Sequence, residues 1–204
     1  MTTRRTVAIL LFDEVEVLDF AGPFEVFATT GQRQGEGDFH VVTVSPDGKP
    51  VRARNGLVVT PDHGLADCPA PRILLVPGGY GTRQAMHLKP VTDWVRRQSA
   101  QAELTLSVCT GALILAKAGL LEGLTATTHH GALDLLRESA PGATVREDLR
   151  IADNGKVVLS GGISAGIDMS LHVVARLLGR ARAEETARHM EYPYPETDVR
   201  RIKI

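Results

Sequence analysis

The sequence predicts an α/β fold, with a mostly parallel sheet that carries helices on both faces and antiparallel hairpins as additions. Short apolar runs of strand length alternate with segments of helical periodicity along the chain. The runs are rich in branched aliphatic residues, as in strands that are buried on both faces of a sheet. Two Asn-Gly turns interrupt the alternation and indicate the hairpins.

Four apolar runs are the predicted strands of the parallel sheet: residues 7–12, 41–44, 73–76 and 104–108. The predicted helices lie at residues 24–29, 91–102, 112–118, 133–140 and 167–178. In the last helix, Ile167, Leu171, Val174 and Leu178 recur at spacings of four, three and four, which gives one apolar stripe. The hairpin turns are expected at Asn55-Gly56 and at Asp153-Asn154-Gly155, which supply positive φ at low steric cost.

Length and charge exclude several classes of protein. The 204 residues favour a single domain, residues 1–204, with an extended tail from about residue 192. The formal net charge of 23 − 24 = −1 argues against a nucleic-acid partner. The first apolar run is too short for a signal peptide, and no stretch of ~18 apolar residues occurs. We therefore expect a soluble cytoplasmic protein without a membrane partner, in which Cys68 and Cys109 are free thiols.

The residues that follow each strand are the candidates for a site, because ligands of open α/β sheets bind beyond the carboxyl ends of the strands. Cys109 ends the run at residues 104–108 and precedes Gly111 and a predicted helix. At such a turn the backbone is often strained, and the helix amides and dipole favour a thiolate by lowering its pKa. Cys109 is therefore either a thiolate nucleophile or a small apolar residue that packs well. Cys68, in a proline-bounded loop, is expected to be structural.

Two more strand ends carry candidates. Gly79, in Pro77-Gly78-Gly79, either offers its amide to a developing negative charge or only forms a tight turn. Asp19 lies in an apolar stretch that leads into a helix, with Pro23 near the expected first turn. This carboxyl either caps the helix or is desolvated, with a raised pKa that suits proton transfer.

Histidines provide a further set of candidates. A histidine near a thiolate can assist it as a base or a charge partner, and His129 and His130 are candidates for this role. Adjacent side chains of an extended segment point to opposite faces, so we expect no shared metal ion and no metal site. Asp168 is expected at the start of its helix, where the dipole favours a carboxylate.

Five motifs occur in a fixed order along the chain, and each alone is weak: Leu18-Asp19-Phe20-Ala21-Gly22-Pro23, Pro77-Gly78-Gly79, Ser107-Val108-Cys109-Thr110-Gly111-Ala112, Ala126-Thr127-Thr128-His129 and Gly161-Gly162-Ile163-Ser164-Ala165-Gly166-Ile167-Asp168. Together they resemble the DJ-1/PfpI superfamily, and within it the isocyanide hydratase branch. The resemblance extends from Val7 to about Tyr192.

The resemblance implies a flavodoxin-like three-layer sandwich, a homodimer and no cofactor. It places the nucleophile at Cys109 and its acidic partner at Asp19. It further implies that Thr110 helps to bind substrate, that the Gly79 amide faces the nucleophile, and that His129 lies near it.

Three departures from the patterns of relatives bear on the expected function, and the second of them concerns the substrate pocket of the hydratase branch itself. Thr110 stands where the protease-like branch has histidine, which argues against a peptidase. His130 stands where hydratases have tryptophan. Only 26 residues follow Leu178, so we expect no C-terminal helix-turn-helix regulator of the kind that similar chains carry.

The leading hypothesis is a cofactor-independent hydratase, a lyase that converts small-molecule isocyanides to N-substituted formamides. One alternative is a glyoxalase-like or stress-related activity on small carbonyls, which needs the same thiolate. Another alternative is a non-catalytic redox or metabolite sensor based on Cys109.

Overall fold

A computed structural model of the chain describes residues 4–32, 35 and 37–194. Its strands are β1 Arg5–Leu10, β2 Phe39–Ser45, β3 Val51–Arg52, β4 Val58–Val59, β5 His63–Gly64, β6 Ile73–Val76, β7 Leu104–Val108, β8 Thr125–Ala126, β9 Thr144–Val145, β10 Ile151–Asp153 and β11 Val157–Ser160. Its helices are α1 Val17–Thr29, α2 Thr82–Ala85, α3 Lys89–Gln101, α4 Gly111–Lys117, α5 Leu133–Ser139, α6 Ala165–Leu178 and α7 Arg180–His189.

The central sheet has the strand order β10-β11-β7-β6-β1-β2-β5 in the described part of the chain. Every neighbouring pair is parallel except β10 and β11, which form an antiparallel hairpin at one edge. In the middle of the sheet, Val7 of β1 lies opposite Val41 on one side and Ile73 on the other. The expected mostly parallel sheet with hairpin additions is therefore confirmed.

Helices cover the sheet on both faces. Helices α1, α6 and α7 pack against one another as one group, while α3, α4 and α5 pack as the other. Every residue of β6 and β7 is buried, which agrees with the uniformly apolar sequence of β6 and includes the polar Thr105 and Ser107 of β7. One connected hydrophobic core contains residues from the sheet and from both helix groups. The structure thus has the predicted three-layer α/β architecture.

Both predicted hairpin turns are present. Strands β3 and β4 are antiparallel, and the turn between them contains Asn55 with φ 59° and Gly56 with φ 90°. The β10–β11 turn contains Gly155 with φ 83°, and the Asp153 side chain accepts a hydrogen bond from the Gly155 N–H at 2.9 Å. Positive φ at these positions is the reason that Asn and Gly occupy them.

Helix α1 corrects two expectations about Asp19. It begins at Val17 rather than at residue 24, so Asp19 lies in its first turn and Pro23 lies inside the helix. The N-cap residue is Glu16, and the Asp19 side chain does not cap the helix. Pro23 has no N–H to donate to the carbonyl of Asp19 four residues earlier, which weakens the helix beside the candidate site.

Helix α7 has no counterpart among the predicted elements. Its sequence, RARAEETARH, is mostly polar, and only three of its residues are buried, namely Ala183, Thr186 and Ala187. The short apolar side of this helix is too small to give a recognisable helical stripe. The predicted extended tail begins at residue 192, and its residues 195–204 lie outside the described part.

Among the described residues, the structure has no helix with the length and apolar character that crossing a membrane requires.

Candidate active site

Cys109 occupies a strained turn at the carboxyl end of the sheet. It directly follows β7 and has φ 55°, a left-handed conformation that a non-glycine residue adopts at a cost of about 1–3 kcal/mol. Its N–H donates to the carbonyls of Ser160 (3.2 Å) and Gly161 (3.0 Å), and its carbonyl accepts a 2.7 Å hydrogen bond from the Thr128 hydroxyl. These three hydrogen bonds fix the backbone of the turn. The Cys109 residue itself is buried, with 5% of its surface exposed.

Asp19 brings a fully buried carboxyl group to the same place. The residue is 0% exposed, and its Oδ2 atom accepts a 2.9 Å hydrogen bond from the Gly78 N–H. Its Oδ1 atom has no formed hydrogen bond within the described ranges. Burial, opposed mainly by the Gly78 hydrogen bond, raises the pKa of Asp19 from 3.8 to about 7, and the charge of Glu16 adds to the rise. This carboxyl can therefore gain or lose a proton near neutral pH.

The Cys109 thiol and the Asp19 carboxyl are neighbours on either side of Gly78, and each shifts the pKa of the other. Burial first, and the Asp19 charge second, raise the pKa of the Cys109 thiol from 9.0 to about 12. The expected net lowering of this pKa is therefore wrong. The backbone amides of Thr110 and Ile163 do favour the thiolate, but they are outweighed. Cys109 thus rests as a thiol beside a carboxyl that can accept its proton.

Gly78 is required where these groups meet. A Cβ at this position would lie 2.5 Å from the backbone nitrogen of Thr110, 2.7 Å from Asp19 Oδ2 and 2.8 Å from Cys109 Cβ. No side chain fits between atoms this close. Only glycine therefore allows the loop that follows β6 to lie against both the Asp19 carboxyl and the Cys109 side chain. Sequence reasoning selected the neighbouring Gly79 and missed this role.

Thr110 and Gly79 lie next to the pair and are bonded to each other. The Gly79 N–H donates to Thr110 Oγ1 at 3.0 Å, and Thr82 Oγ1 lies 3.1 Å from the same oxygen. Gly79 has φ 123°, and its carbonyl accepts a 2.7 Å bond from Thr82. The Gly79 N–H therefore points at Thr110, the residue that follows the nucleophile, and not at the thiol. A substrate would have to displace the Thr110 hydroxyl to bind this N–H.

His129 lies at the edge of an open cleft. Its Nδ1 atom accepts a 3.1 Å hydrogen bond from the Gly131 N–H, so the neutral ring carries its proton on Nε2. Burial lowers the pKa of His129, as do the nearby charges of His130 and Arg83, which keeps the ring neutral. A Cβ at Gly162 would lie 2.4 Å from the His129 ring, so the ring packs on that backbone.

The His129 and His130 rings lie together, with centroids 4.2 Å apart, so the expectation that they point to opposite faces is wrong. The reason is local, because His130 begins a 3-10 turn instead of continuing an extended segment. In residues 4–32, 35 and 37–194, no group of three or more His, Cys, Asp or Glu side chains is arranged to hold a metal ion.

The cleft beside His129 has a volume of about 610 Å³ and is lined in part by Leu133, Arg150 and residues 161–164. It borders Cys109 through Gly161, whose carbonyl accepts from the Cys109 N–H, and through Ile163, whose backbone N–H lowers the pKa of both the thiol and the Asp19 carboxyl. Ile163 has φ 52°, a second strained non-glycine conformation at the site. Its role is carried by the backbone, so its side-chain identity gave no signal in the sequence.

A buried ion pair supports the loop that forms this cleft. Asp168 lies in the first turn of α6, as predicted, and accepts hydrogen bonds from Arg150 Nε at 2.7 Å and from the Tyr192 hydroxyl at 3.0 Å. Arg150 also donates to the Ser164 hydroxyl at 3.2 Å. The side chains of Arg150 and Asp168 are 9% and 6% exposed, so this pair is well shielded from solvent.

Cys68 lies apart from these groups. Both cysteines are free, and Cys68 is half-buried with its Sγ donating to the Pro69 carbonyl at 3.3 Å. Burial and the neighbouring Asp67 raise the pKa of the Cys68 thiol to about 11.

Comparison with known proteins identifies the family. A model of the DJ-1/PfpI family matches residues 5–176. The chain belongs to the DJ-1/PfpI family. It is 38% identical to the isonitrile hydratase of Pseudomonas putida, over 94% of this chain and 81% of that protein. The resemblance drawn from the five motifs is thereby confirmed.

Other DJ-1/PfpI relatives differ in function. The chain is 32% identical to the HTH-type transcriptional regulator GbdR of Pseudomonas aeruginosa, over 86% of this chain but 47% of the regulator. The crystal structure of a ThiJ/PfpI family protein from Pseudomonas syringae superposes with a TM-score of 0.85 at 30% identity, covering 96% of this chain and 78% of that chain. The fold is therefore that of the family, whose members include both an enzyme and a regulator.

Proposed function

We propose that the protein hydrates isocyanides to N-substituted formamides without a cofactor, with Cys109 as the nucleophile and Asp19 as the proton carrier. The observation that carries this proposal is the buried Asp19 carboxyl, with a pKa of about 7, beside the thiol of a strained cysteine. Similarity to an isonitrile hydratase at 38% identity supports the choice of substrate class.

The first half of the reaction forms a covalent intermediate. The Asp19 carboxylate takes the proton of the Cys109 thiol as the sulfur attacks the terminal carbon of the isocyanide. Asp19 then gives this proton to the same carbon, and the product is a thioimidate in which the carbon is bonded to sulfur, nitrogen and hydrogen. The Thr110 and Ile163 amides stabilise the thiolate during this step.

The second half adds water and restores the enzyme. Asp19 removes one proton from a water molecule as the water oxygen bonds to the thioimidate carbon, and Asp19 passes this proton to the nitrogen. The remaining hydroxyl proton returns to Asp19 as the carbon–sulfur bond breaks, which releases the formamide. Asp19 finally returns that proton to Cys109, so one isocyanide and one water give one formamide.

Three neighbouring groups would bind the substrate. Thr110 and the Gly79 N–H, which are bonded to each other at 3.0 Å, would exchange that bond for one to the thioimidate nitrogen, which gains a lone pair when the carbon–sulfur bond forms. His129, with its proton on Nε2, would act as a neutral donor from the cleft. Substituting any of these groups would therefore raise KM, and the product would remain the formamide.

The direct test is turnover of cyclohexyl isocyanide by the purified protein, with the formamide identified by mass spectrometry. We expect turnover by the wild type, none by Cys109→Ala, and unchanged turnover by the matched control Cys68→Ser. Absence of formamide with the wild type, or equal turnover by Cys109→Ala, would overturn the proposal.

The pH profile provides a second test. Asp19 must be ionised to take the thiol proton, so kcat/KM should rise with pH through an apparent pKa near 7. A profile that is flat from pH 5.5 to 8.5, or that falls over this range, would contradict the role of Asp19.

The same protein should favour isocyanides over small carbonyls. A glyoxalase-like activity would use the same thiol, so methylglyoxal is the substrate to compare. A sensor function is disfavoured by the 5% exposure and the raised pKa of Cys109, because redox-sensing cysteines are exposed and have low pKa values.

The proposal includes a homodimer. Leu18, Phe24 and Ile163 are apolar side chains that are 38%, 37% and 39% exposed, and they lie near the α1 and α6 side of the site. Exposed apolar side chains on neighbouring elements are typical of an interface. Light scattering should give twice the mass of one chain.

A further inference from the structure

Arg83 and Tyr80 form a stacked pair beside the Gly79 loop. The central carbon of the Arg83 guanidinium lies 4.8 Å from the centroid of the Tyr80 ring, within the range of a cation–π interaction. Tyr80 is 64% exposed, an unusual fraction for an aromatic side chain of this size. The exposed ring orients the guanidinium but offers its hydrogen-bond donors no acceptor.

Arg83 differs from the other arginine at this ring in having no counter-ion. Arg54 lies 5.5 Å from the Tyr80 centroid and forms a 2.7 Å ion pair with Glu14. Arg83, which is half-buried, has no carboxylate oxygen within 4 Å in the part of the chain that the structure describes. The charge of Arg83 is thus available to an anion from solution.

Arg83 lies at the same rim of the protein as the nucleophile. It is in α2 directly after Thr82, whose Oγ1 lies 3.1 Å from Thr110 Oγ1, and Thr110 follows Cys109 in the chain. Its charge also reaches His129, which borders the cleft. The guanidinium thus stacks on the residue that follows Gly79, and Gly79 is bonded to the residue that follows Cys109.

A negative charge, that of Glu16, also lies near His129. The charge of Glu16 is felt by Asp19 and by His129, and it acts on both in the sense expected of a negative neighbour. An anionic group on a substrate would be repelled there and attracted by Arg83. Of these two charged neighbours of His129, Arg83 is the one that attracts an anionic group.

We infer that the preferred substrates are isocyanides that carry a carboxylate, which the Arg83 guanidinium binds while the isocyanide carbon reaches Cys109. This inference rests on the proposed hydration. Arginine suits the role because its planar fork donates two parallel hydrogen bonds to a carboxylate. Tyr80 keeps the fork oriented before substrate binds, which reduces the entropy lost on binding.

The kinetic test compares 3-isocyanopropanoate with its neutral methyl ester, together with the acids one carbon shorter and longer. For at least one acid, the wild type should show a lower KM than for the ester. Arg83→Gln should raise the KM for that acid about 10- to 100-fold, the range expected for a lost hydrogen bond to a charged group, and leave the ester within about twofold. The control Arg97→Gln, at an exposed arginine of α3, should change neither.

A binding test remains decisive even if no isocyanide is hydrated. N-formyl-β-alanine is the formamide product of 3-isocyanopropanoate and serves as the probe. Calorimetry should show that the wild type binds this acid at least tenfold more tightly than it binds the methyl ester of the same compound. Arg83→Gln should abolish that preference. Equal binding of acid and ester by the wild type, or a preference that survives Arg83→Gln, would overturn the inference, whereas failure of the hydratase proposal alone would appear as binding without turnover.

Discussion

Replacing Asp19 with asparagine separates two consequences of burying its carboxyl group, a loss of activity and a gain in stability. Asp19 is 0% exposed, and its pKa in the folded protein is about 7, against an ordinary value of 3.8. Between these two values the folded protein holds a proton that the unfolded chain has released. The free energy of unfolding therefore falls as the pH rises from about 4 to about 7, and the effect is complete above about pH 7.

The size of the effect follows from the two pKa values. At about 1.4 kcal/mol per pKa unit, the rise from 3.8 to about 7 corresponds to about 4 kcal/mol. Asparagine has nearly the same shape as a protonated aspartic acid and does not ionise. We expect Asp19→Asn to match the wild type in stability near pH 4 and to be more stable by about 4 kcal/mol at pH 8.

The assay is urea unfolding, followed by circular dichroism, at pH values from 4 to 8 for the wild type and the variant. Asp134→Asn is the matched control, because the Asp134 side chain is 93% exposed and should show no such trend. The variant should also lose about 10²- to 10⁴-fold in hydratase activity, the usual contribution of a general acid–base group. A stability difference that does not grow between pH 5 and pH 8, or a variant that is less stable at pH 8, would refute the reasoning.

Three other substitutions test the surroundings of the pair. Thr128→Val removes the hydroxyl that bonds to the Cys109 carbonyl at 2.7 Å, so urea unfolding should show a loss of about 1–2 kcal/mol together with reduced turnover. Gly78→Ala places a Cβ 2.5 Å from the Thr110 nitrogen, and an inactive protein with altered thiol reactivity is expected, whereas normal activity would contradict the packing. Asp168→Asn leaves a buried arginine unpaired, and thermal unfolding should reveal a loss of about 3–5 kcal/mol.

The sequence predicted the sheet well because its strands are buried on both faces. The runs at residues 73–76 and 104–108 agree with β6 and β7 residue for residue, and every residue of both strands is buried. The two Asn-Gly turns were predictable because positive φ restricts the choice of residue. Helices α1 and α7 were harder to predict, because Pro23 concealed the true start of α1 and the apolar side of α7 is small.

The candidate site was predictable only where side chains define it. Cys109 was selected because it follows a strand, and Asp19 was selected because it lies in an apolar stretch. The structure brings the two side chains together. The role of Gly78 depends on three atoms from distant segments, and that of Ile163 depends on its backbone amide, so neither leaves a local pattern. The direction of the Cys109 pKa also required the structure, because it depends on how deeply the thiol is buried beside a carboxylate.

The measurement that tests the central claim most directly is the mass of the protein during reaction with cyclohexyl isocyanide. Samples quenched with acid within the first turnovers should show a mass increase equal to one isocyanide, located on the peptide that contains Cys109. This adduct should disappear as formamide accumulates, and it should be absent from Cys109→Ala. Formamide production without any adduct on Cys109, or an adduct that never converts to formamide, would contradict the account.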